Sequence, residues 1–289
     1  MRHDGNFSPP GPGNLDDKRP YRETAIPGTG IVASPLGPVV YHHFSGYVTY
    51  HALVSRIEKR FSQGFTLLAS YTFSRAIGDT CGFAASGDTP ACGYQDPRNL
   101  RLERSVDNQD VPHRFVFSGI WEIPFGAGRR WGAGSSTLVR AVFGDWSLGS
   151  IVSYSSGRPF NLTVRGNPAN TGSRVIVNRP DVTGRAYAGE RTVARDFNVD
   201  AFAANQQFQI GNLGRNALRQ RGAFGWDLSA YKNISLREGV LAQFRFEAFQ
   251  FTNTPRFSTP GHTLGTADFG RITAARTPRN LQLGVKFLF

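Results

Sequence analysis

The last eleven residues, Arg279-Asn280-Leu281-Gln282-Leu283-Gly284-Val285-Lys286-Phe287-Leu288-Phe289, guide the interpretation of the whole sequence. Every odd-numbered position from Leu281 to Phe289 is apolar, while Gln282 and Lys286 lie between them. Successive side chains point to opposite sides of a β-strand, so this period of two predicts a strand with one apolar and one more polar face.

Six more segments with the same period precede it. The seven predicted strands cover residues 50–61, 65–75, 112–123, 146–156, 224–236, 240–252 and 279–289. The 23 Phe, 33 Gly and 17 Pro residues also favour short strands separated by turns. No stretch of 18 apolar residues occurs, which excludes a transmembrane helix, and only Ser136 to Phe143 is predicted as a short helix.

Charged residues are sorted between the two faces of these strands. On the apolar faces, Lys59 and Lys232 each lie just before a short turn, and Arg75 and Arg279 lie at the outermost positions of their predicted strands. The opposite faces carry Arg56, Glu58, Arg60, Glu122, Asp227, Arg245, Glu247 and Lys286. A basic side chain on the lipid face costs about 2–4 kcal/mol at mid-bilayer and about 0–1 kcal/mol near the interface. The distribution therefore favours apolar faces that meet lipid.

The connections alternate in length. Residues 62–64 and 237–239 are short and 126–145 is of medium length, whereas 76–110, 157–223 and 253–278 are long. Outer-membrane barrels have short periplasmic turns and long external loops, and this pattern places all long connections outside if Phe289 ends in the periplasm. Several aromatic residues toward strand ends are expected to form an interfacial girdle: Tyr71, Phe73, Trp121, Trp146, Tyr154, Trp226 and Phe289. The fold is predicted to be all-β, an antiparallel up-and-down transmembrane β-barrel segment of about seven strands with long external loops.

The C-terminal segment resembles the last strand of outer-membrane proteins, whose terminal aromatic residue is read by the barrel-assembly machinery. Over about residues 45–289 the chain also resembles the C-terminal barrel of Oar-like TonB-dependent receptors. The segments that carry this resemblance are Glu58-Lys59-Arg60-Phe61, Ala69-Ser70-Tyr71-Thr72-Phe73-Ser74, His113-Arg114-Phe115-Val116 with Pro124-Phe125-Gly126, Ser156-Gly157-Arg158-Pro159-Phe160, Gly211-Asn212-Leu213-Gly214-Arg215-Asn216 and Phe251-Thr252-Asn253-Thr254-Pro255.

The resemblance implies a location in the outer membrane of a Gram-negative cell and energised uptake or binding of a ligand. Family members carry a signal peptide, a regulatory domain, a plug and more than twenty barrel strands. Here Met1 to Gly5 contains no apolar signal segment, and seven strands are fewer than the bacterial minimum of eight. We therefore expect an incomplete barrel, a fragment that is inactive alone. Its expected partners are outer-membrane lipid, the remainder of the barrel and plug, and the assembly machinery through Phe289.

Two regions are expected, an irregular Pro/Gly-rich external loop region at 1–46 and the barrel segment at 47–289. No catalytic, cofactor or metal motif is found, so we expect neither an enzyme nor a bound cofactor. Arg114, Arg158 and Arg215 are candidate ligand contacts at the external mouth, with rim salt bridges and loop packing as the alternative. Cys81 and Cys92 suit a loop disulfide, with free thiols as the alternative.

Three other interpretations remain. Alternating strands also fit a secreted soluble β-sandwich that binds a ligand such as a carbohydrate. Residues 31–41 would supply the eighth strand of a complete small barrel, although Pro35 and Pro38 disfavour it. The net charge of +12 is compatible with nucleic-acid binding, but the arginines are scattered over the chain, so no nucleic-acid partner is expected.

Overall fold

Seven long antiparallel strands form one continuous sheet in the computed structural model. The structure describes residues 2–21, 24–25, 28–29, 32–33, 37–42, 46–80, 94–126, 128–172, 177–276 and 278–289. The long strands are β1 (Val48–Ser62), β2 (Phe65–Gly78), β3 (His113–Glu122), β4 (Trp146–Ser155), β5 (Ala223–Arg237), β6 (Val240–Phe249) and β7 (Asn280–Leu288).

Each long strand pairs with the next one along the chain, from β1 to β7. The predicted bounds agree with these strands to within three residues at each end. The predicted up-and-down topology is confirmed. The sandwich interpretation is wrong, because all seven strands belong to one sheet and do not divide between two packed sheets.

The strand register brings the seven apolar faces onto the same side of the sheet. Phe117 lies opposite Ala69 and Val152, and Val152 lies opposite Trp226. We call this side the apolar face and the other side the polar face. Leu53 at one edge is 62% exposed and Leu283 at the other is 75% exposed, so no second layer covers the apolar face there.

The two edges of the sheet are not paired with each other in the described part of the chain, so the barrel is open. The small-barrel interpretation is wrong for the described residues of 31–41. Val32–Ala33 pairs with Thr24–Ala25, and Val40–His42 pairs with Arg2–Asp4, so neither strand extends the sheet.

The three long connections all leave the same end of the sheet, which we call the cap end. At the turn end, Gln63 and Gly64 have φ values of 54° and 77°. Two successive positive φ values are typical of the tight turn that matches strand twist. The medium connection contains α1 (Thr137–Phe143), in which the Ser136 hydroxyl accepts a hydrogen bond from Val139 N, and the short predicted helix is confirmed. No helix in the described residues is long and apolar enough to cross a membrane.

The long connections fold together above the sheet into a unit that we call the cap. Sequence analysis predicted them as long external loops, and they contain short strands, 3-10 turns and a buried apolar core. The core consists of Phe160, Leu162, Phe197, Ala201, Phe202, Leu213 and Leu218. The short strands beyond the first 46 residues are Ser105–Val106, Pro159–Phe160, Thr163–Val164, Asp181–Val182, Phe202–Ala203, Leu218–Arg219, Arg256–Phe257, Thr263–Leu264 and Ala275–Arg276. The 3-10 turns of the chain are Asp16–Lys18, Leu100–Glu103 and Val199–Ala201.

The N-terminal region packs onto the same cap. Ser8 forms a backbone bridge with Gly172. The Lys18 ammonium donates to Asn170 O at 2.7 Å and to Gly11 O at 2.6 Å. These contacts attach the first residues of the chain to the connection between β4 and β5.

Candidate functional site

The apolar face carries aromatic residues toward both of its ends. At the cap end, Tyr71, Phe115 and Tyr154 lie in one row across three strands. At the turn end, Phe65 lies opposite Trp121. Aromatic residues at two levels separated by an apolar band are typical of a surface that crosses a bilayer.

Trp226 departs from this arrangement. It lies opposite Val152, in the same row as Phe117 and Ala69, between the aromatic rows. Its indole Nε1 donates to the Ser150 hydroxyl at 2.9 Å, which satisfies the polar group of the ring within the apolar face.

The two lysines of the apolar face both lie at the turn end, and each has a local partner. The Lys232 ammonium donates to Gly144 O, directly after the C-terminus of α1, and is only 7% exposed. The C-terminal end of a helix carries a partial negative charge, which stabilises a cation beside it. Lys59 Nζ lies 5.3 Å from the centre of the Phe65 ring. The charge sorting inferred from the sequence therefore has a structural basis.

The polar face contains a cavity of about 350 Å³ in the middle of the sheet. Its polar-face lining includes Asp227, Ser229, Tyr231 and Glu247, and the Tyr231 hydroxyl donates to Glu247 Oε1 at 3.3 Å. Arg245 stacks over the Tyr231 ring at 5.6 Å. Apolar side chains line the same cavity, so the polar face is mixed in character: Leu68, Ile120, Ile151 and Phe249.

The cap is held together by a buried ion pair. Arg179 Nη1 donates to Glu103 Oε2 at 2.7 Å, Arg179 Nε donates to Leu213 O at 2.9 Å, and Glu103 Oε1 accepts from Gln95 N at 3.1 Å. Gln95 Oε1 in turn accepts from Arg179 N at 2.8 Å. The charged groups are thus surrounded by hydrogen-bond partners, which a buried ion pair requires.

The segment Gly211-Asn212-Leu213-Gly214-Arg215-Asn216 is a central part of this packing. Asn212 Oδ1 accepts from Val182 N and Asn212 N donates to Asp181 Oδ1, both at 2.8 Å. A Cβ atom on Gly211 would come within 1.9 Å of Arg179 O, so only glycine fits there. The motif therefore connects the cap segments to one another.

Two further carboxylates of the cap are buried beside arginines. Asp196 accepts from Arg191 Nη2 and from Arg221 Nε, each at 2.6 Å. Asp110 pairs with Arg219, whose backbone belongs to the short strand against Pro159–Phe160. Sequence analysis missed these pairs. Arg221 and Asp196 are 25 residues apart and Arg219 and Asp110 are 109 residues apart, so no local spacing relates them.

The three arginines predicted at the mouth occupy different environments. Arg114 lies on the polar face at the cap end, opposite Thr72 and Ser155, and is exposed. Arg158 is exposed in the turn that follows β4. Arg215 is buried, and its guanidinium donates to Gly78 O at 3.0 Å and to Thr80 O at 2.6 Å. Its contacts are therefore those of a packing residue that joins the cap to the end of β2.

Burial lowers the pKa of Arg215, while the carboxylate of Glu103 acts in the opposite direction. Burial also raises the pKa of the Tyr187 hydroxyl and lowers that of His262, both in the cap. Burial acts to raise the pKa of Asp96, but the hydrogen bonds and charge of Arg98 lower it overall.

A cavity of about 810 Å³ lies where the apolar face meets the cap. Five arginines line it, and its described lining contains no carboxylate: Arg75, Arg104, Arg191, Arg215 and Arg219. Sequence analysis did not single out this group as a site, because its members come from three separate segments.

Cys81 and Cys92 lie outside the described residues. Among the residues that are described, no group of three or more His, Cys, Asp and Glu side chains is placed to hold a metal ion. The Nδ1 atom of His113 lies 2.9 Å from the hydroxyl oxygen of Tyr71.

The model of a protein family described as "Outer membrane beta barrel domain" matches residues 2–282, which includes all of β1 to β6 and part of β7. The match also runs across the predicted boundary between 1–46 and 47–289. No curated protein and no solved structure matches the chain.

Proposed function

The chain belongs to the outer membrane beta barrel domain family, and from this premise we propose that it lies in the cell outer membrane as the C-terminal barrel portion of an Oar-like TonB-dependent receptor. In this role it lines part of the passage by which a ligand is bound or taken up. The single observation that carries the proposal is the two-sided sheet, with a continuous apolar face and an opposite face that carries most of the charged side chains of the strands.

The open edges of the sheet support a larger barrel. Unpaired backbone groups of β1 and β7 within lipid would each cost several kcal/mol, and a barrel avoids this by closure. We infer that further strands of the receptor pair with these edges and that the plug occupies the polar face. Arg114 and Arg158, both exposed at the cap end, are then available to a ligand that enters from outside.

The position of Phe289 supports recognition by the assembly machinery. It follows β7 directly at the turn end and is 96% exposed, with no packing role that would compete with recognition. Deletion of Phe289 should reduce the amount of protein in outer-membrane fractions, whereas Leu236→Ala, at another exposed position of the turn end, should not.

Orientation is tested by cysteine labelling in intact cells, in a background where Cys81 and Cys92 are replaced by Ser. Glu190→Cys lies in the cap and Glu238→Cys lies in the turn after β5, and both native side chains are exposed. A membrane-impermeant maleimide should label Glu190→Cys in intact cells but label Glu238→Cys only after permeabilisation. Equal labelling of both would contradict the outer-membrane orientation.

Energised uptake is tested in the source cells by comparing depletion of medium components with and without the gene that encodes this chain. Mass spectrometry should detect at least one compound whose depletion requires both this gene and a functional TonB protein. Depletion that requires the gene but not TonB would be compatible with an outer-membrane barrel but would disprove the TonB-dependent role.

A further inference from the structure

The arginine-lined cavity lies on the lipid side of the sheet, opposite the passage proposed above. Arg75 and Ile77 follow Phe73 at alternate positions of β2, so they continue the apolar face toward the cap. Tyr154 belongs to the aromatic row of the same face and also lines the cavity. One wall of the cavity is therefore the upper margin of the surface that meets lipid.

The charges on the cavity are not balanced. Arg191 pairs with Asp196 and Arg219 pairs with Asp110, so these two arginines have carboxylate partners behind the wall. Arg75 and Arg104 are exposed, and no described residue forms a hydrogen bond or ion pair with either guanidinium. The cavity thus presents at least two uncompensated positive charges beside an apolar surface.

We propose that this cavity binds the phosphate headgroup of an outer-leaflet lipid whose acyl chains lie along the apolar face. Guanidinium groups bind phosphate through charge-assisted, often bidentate hydrogen bonds, and Arg75 and Arg104 supply free donors. The cavity lies directly beyond the aromatic row of Tyr71 and Tyr154, at the level where headgroups meet the acyl region. A soluble anion would use the arginines alone, whereas a lipid uses both the arginines and the apolar wall.

The neighbouring contacts hold the cavity open in a fixed shape. The Tyr187 hydroxyl donates to Arg219 O at 3.0 Å and accepts from Arg219 N at 2.7 Å, while Arg191 lies over the Tyr187 ring at 4.9 Å. Arg215 attaches the floor to the end of β2 through Gly78 O. These residues position the site, and Arg75 and Arg104 contact the phosphate.

The test uses the full chain in dodecyl maltoside micelles and three probes. They are a short-chain phosphatidic acid, the diacylglycerol with the same acyl chains, and glycerol 3-phosphate. Equilibrium binding, measured by native mass spectrometry, should be strongest for phosphatidic acid. Equal binding of diacylglycerol would show that only the apolar face acts, and equal binding of glycerol 3-phosphate would show a site for soluble phosphate. Either result would overturn the proposal.

Variants locate the site. Arg75→Gln/Arg104→Gln should weaken phosphatidic acid binding roughly tenfold or more, because two charge-assisted contacts are removed. The matched control Arg101→Gln/Arg165→Gln removes the same charge from exposed positions outside the lining and should leave binding unchanged. Unchanged binding in the first variant, or equal loss in both, disproves the assignment. If the first variant does not fold, the comparison of the three probes on the unmodified chain still decides the question.

Discussion

Arg179 Nη1 lies 2.7 Å from Glu103 Oε2, and the two side chains are 2% and 0% exposed although 76 residues separate them in the chain. This contact joins the connection after β2 to the connection after β4. Since both groups are charged and removed from water, each depends on the other. The cap is therefore expected to fold cooperatively, with this pair as one of its main constraints.

Removal of one member of the pair should destabilise the cap strongly. We expect Arg179→Leu to lower the free energy of cap unfolding by about 3–5 kcal/mol, because it leaves the Glu103 carboxylate buried without its partner. Hydrogen exchange of cap amides during denaturant titration measures this. As a control, Arg195→Leu removes an exposed pair with Asp200 and should cost at most about 1 kcal/mol.

The double variant Arg179→Leu/Glu103→Leu sharpens this prediction. It removes both charges, so the decrease in the free energy of cap unfolding should be smaller than in Arg179→Leu alone. Additive losses would contradict the coupling.

Alanine substitution at the two glycines of the Gly211-Asn212-Leu213-Gly214 segment should have very different effects on the stability of the cap. Gly211→Ala places a Cβ atom 1.9 Å from Arg179 O and should cost about 1–3 kcal/mol through displacement of the backbone. Gly214→Ala meets no atom within 4 Å and should change stability little. Unfolding of the cap in denaturant compares the stability of the two variants. Similar losses of stability would contradict the close approach of Gly211 to Arg179 O.

Adjacent positions of β3 should respond oppositely to a charge. Phe117 belongs to the apolar face and Ser118 to the polar face, where it lies opposite Ile151 and one strand away from Asp227. Phe117→Arg should cost about 2–4 kcal/mol in a bilayer, whereas Ser118→Arg should be nearly neutral in a hydrated interior. Folding titrations in lipid vesicles measure both. A larger loss for Ser118→Arg would reverse the assignment of the two faces.

The cap should lose stability in mild acid. Burial lowers the pKa of His262, although the backbone of Pro260 and the charge of Asp268 act in the opposite direction. The unfolded chain then binds the proton more tightly than the folded cap. The contribution of His262 is therefore fully present above the ordinary histidine pKa of about 6.5 and is lost as the pH falls below it.

We expect cap amides to exchange faster at pH 5 than at pH 7.5, after correction for intrinsic exchange rates. This pH dependence should be smaller in His262→Asn, which cannot take up the proton. An identical profile in the variant would exclude His262 as the titrating group.

The seven strands were predictable because their signal is local. A strand that separates two environments must alternate its side chains, and the alternation in 65–75 or 279–289 is visible without any partner strand. The grouping of the strand ends was predictable as well, because short and long connections alternate along the chain and therefore leave opposite ends of the sheet. The short helix at Thr137–Phe143 was predictable from its Ser136 cap and apolar spacing.

The cap was not predictable by the same reasoning. Its apolar residues, such as Phe160, Phe197 and Leu218, are dispersed among Gly, Asn and Arg without a period. A core of this kind forms from segments that meet only after the sheet has brought their ends together. For the same reason Arg215 is predicted from the sequence as a candidate mouth residue, while the partners of its buried guanidinium, Gly78 and Thr80, lie far away in sequence.

The sequence by itself determined the strands, their topology and which side of each strand is apolar, because the alternation of side chains along a strand does not depend on distant residues. Only the tertiary structure decided which charges are buried and which are free. Arg179 and Arg215 are enclosed, whereas Arg75 and Arg104 remain exposed beside the apolar face. Arginines have the same intrinsic chemistry throughout the chain, and their roles differ through the partners that folding places within reach.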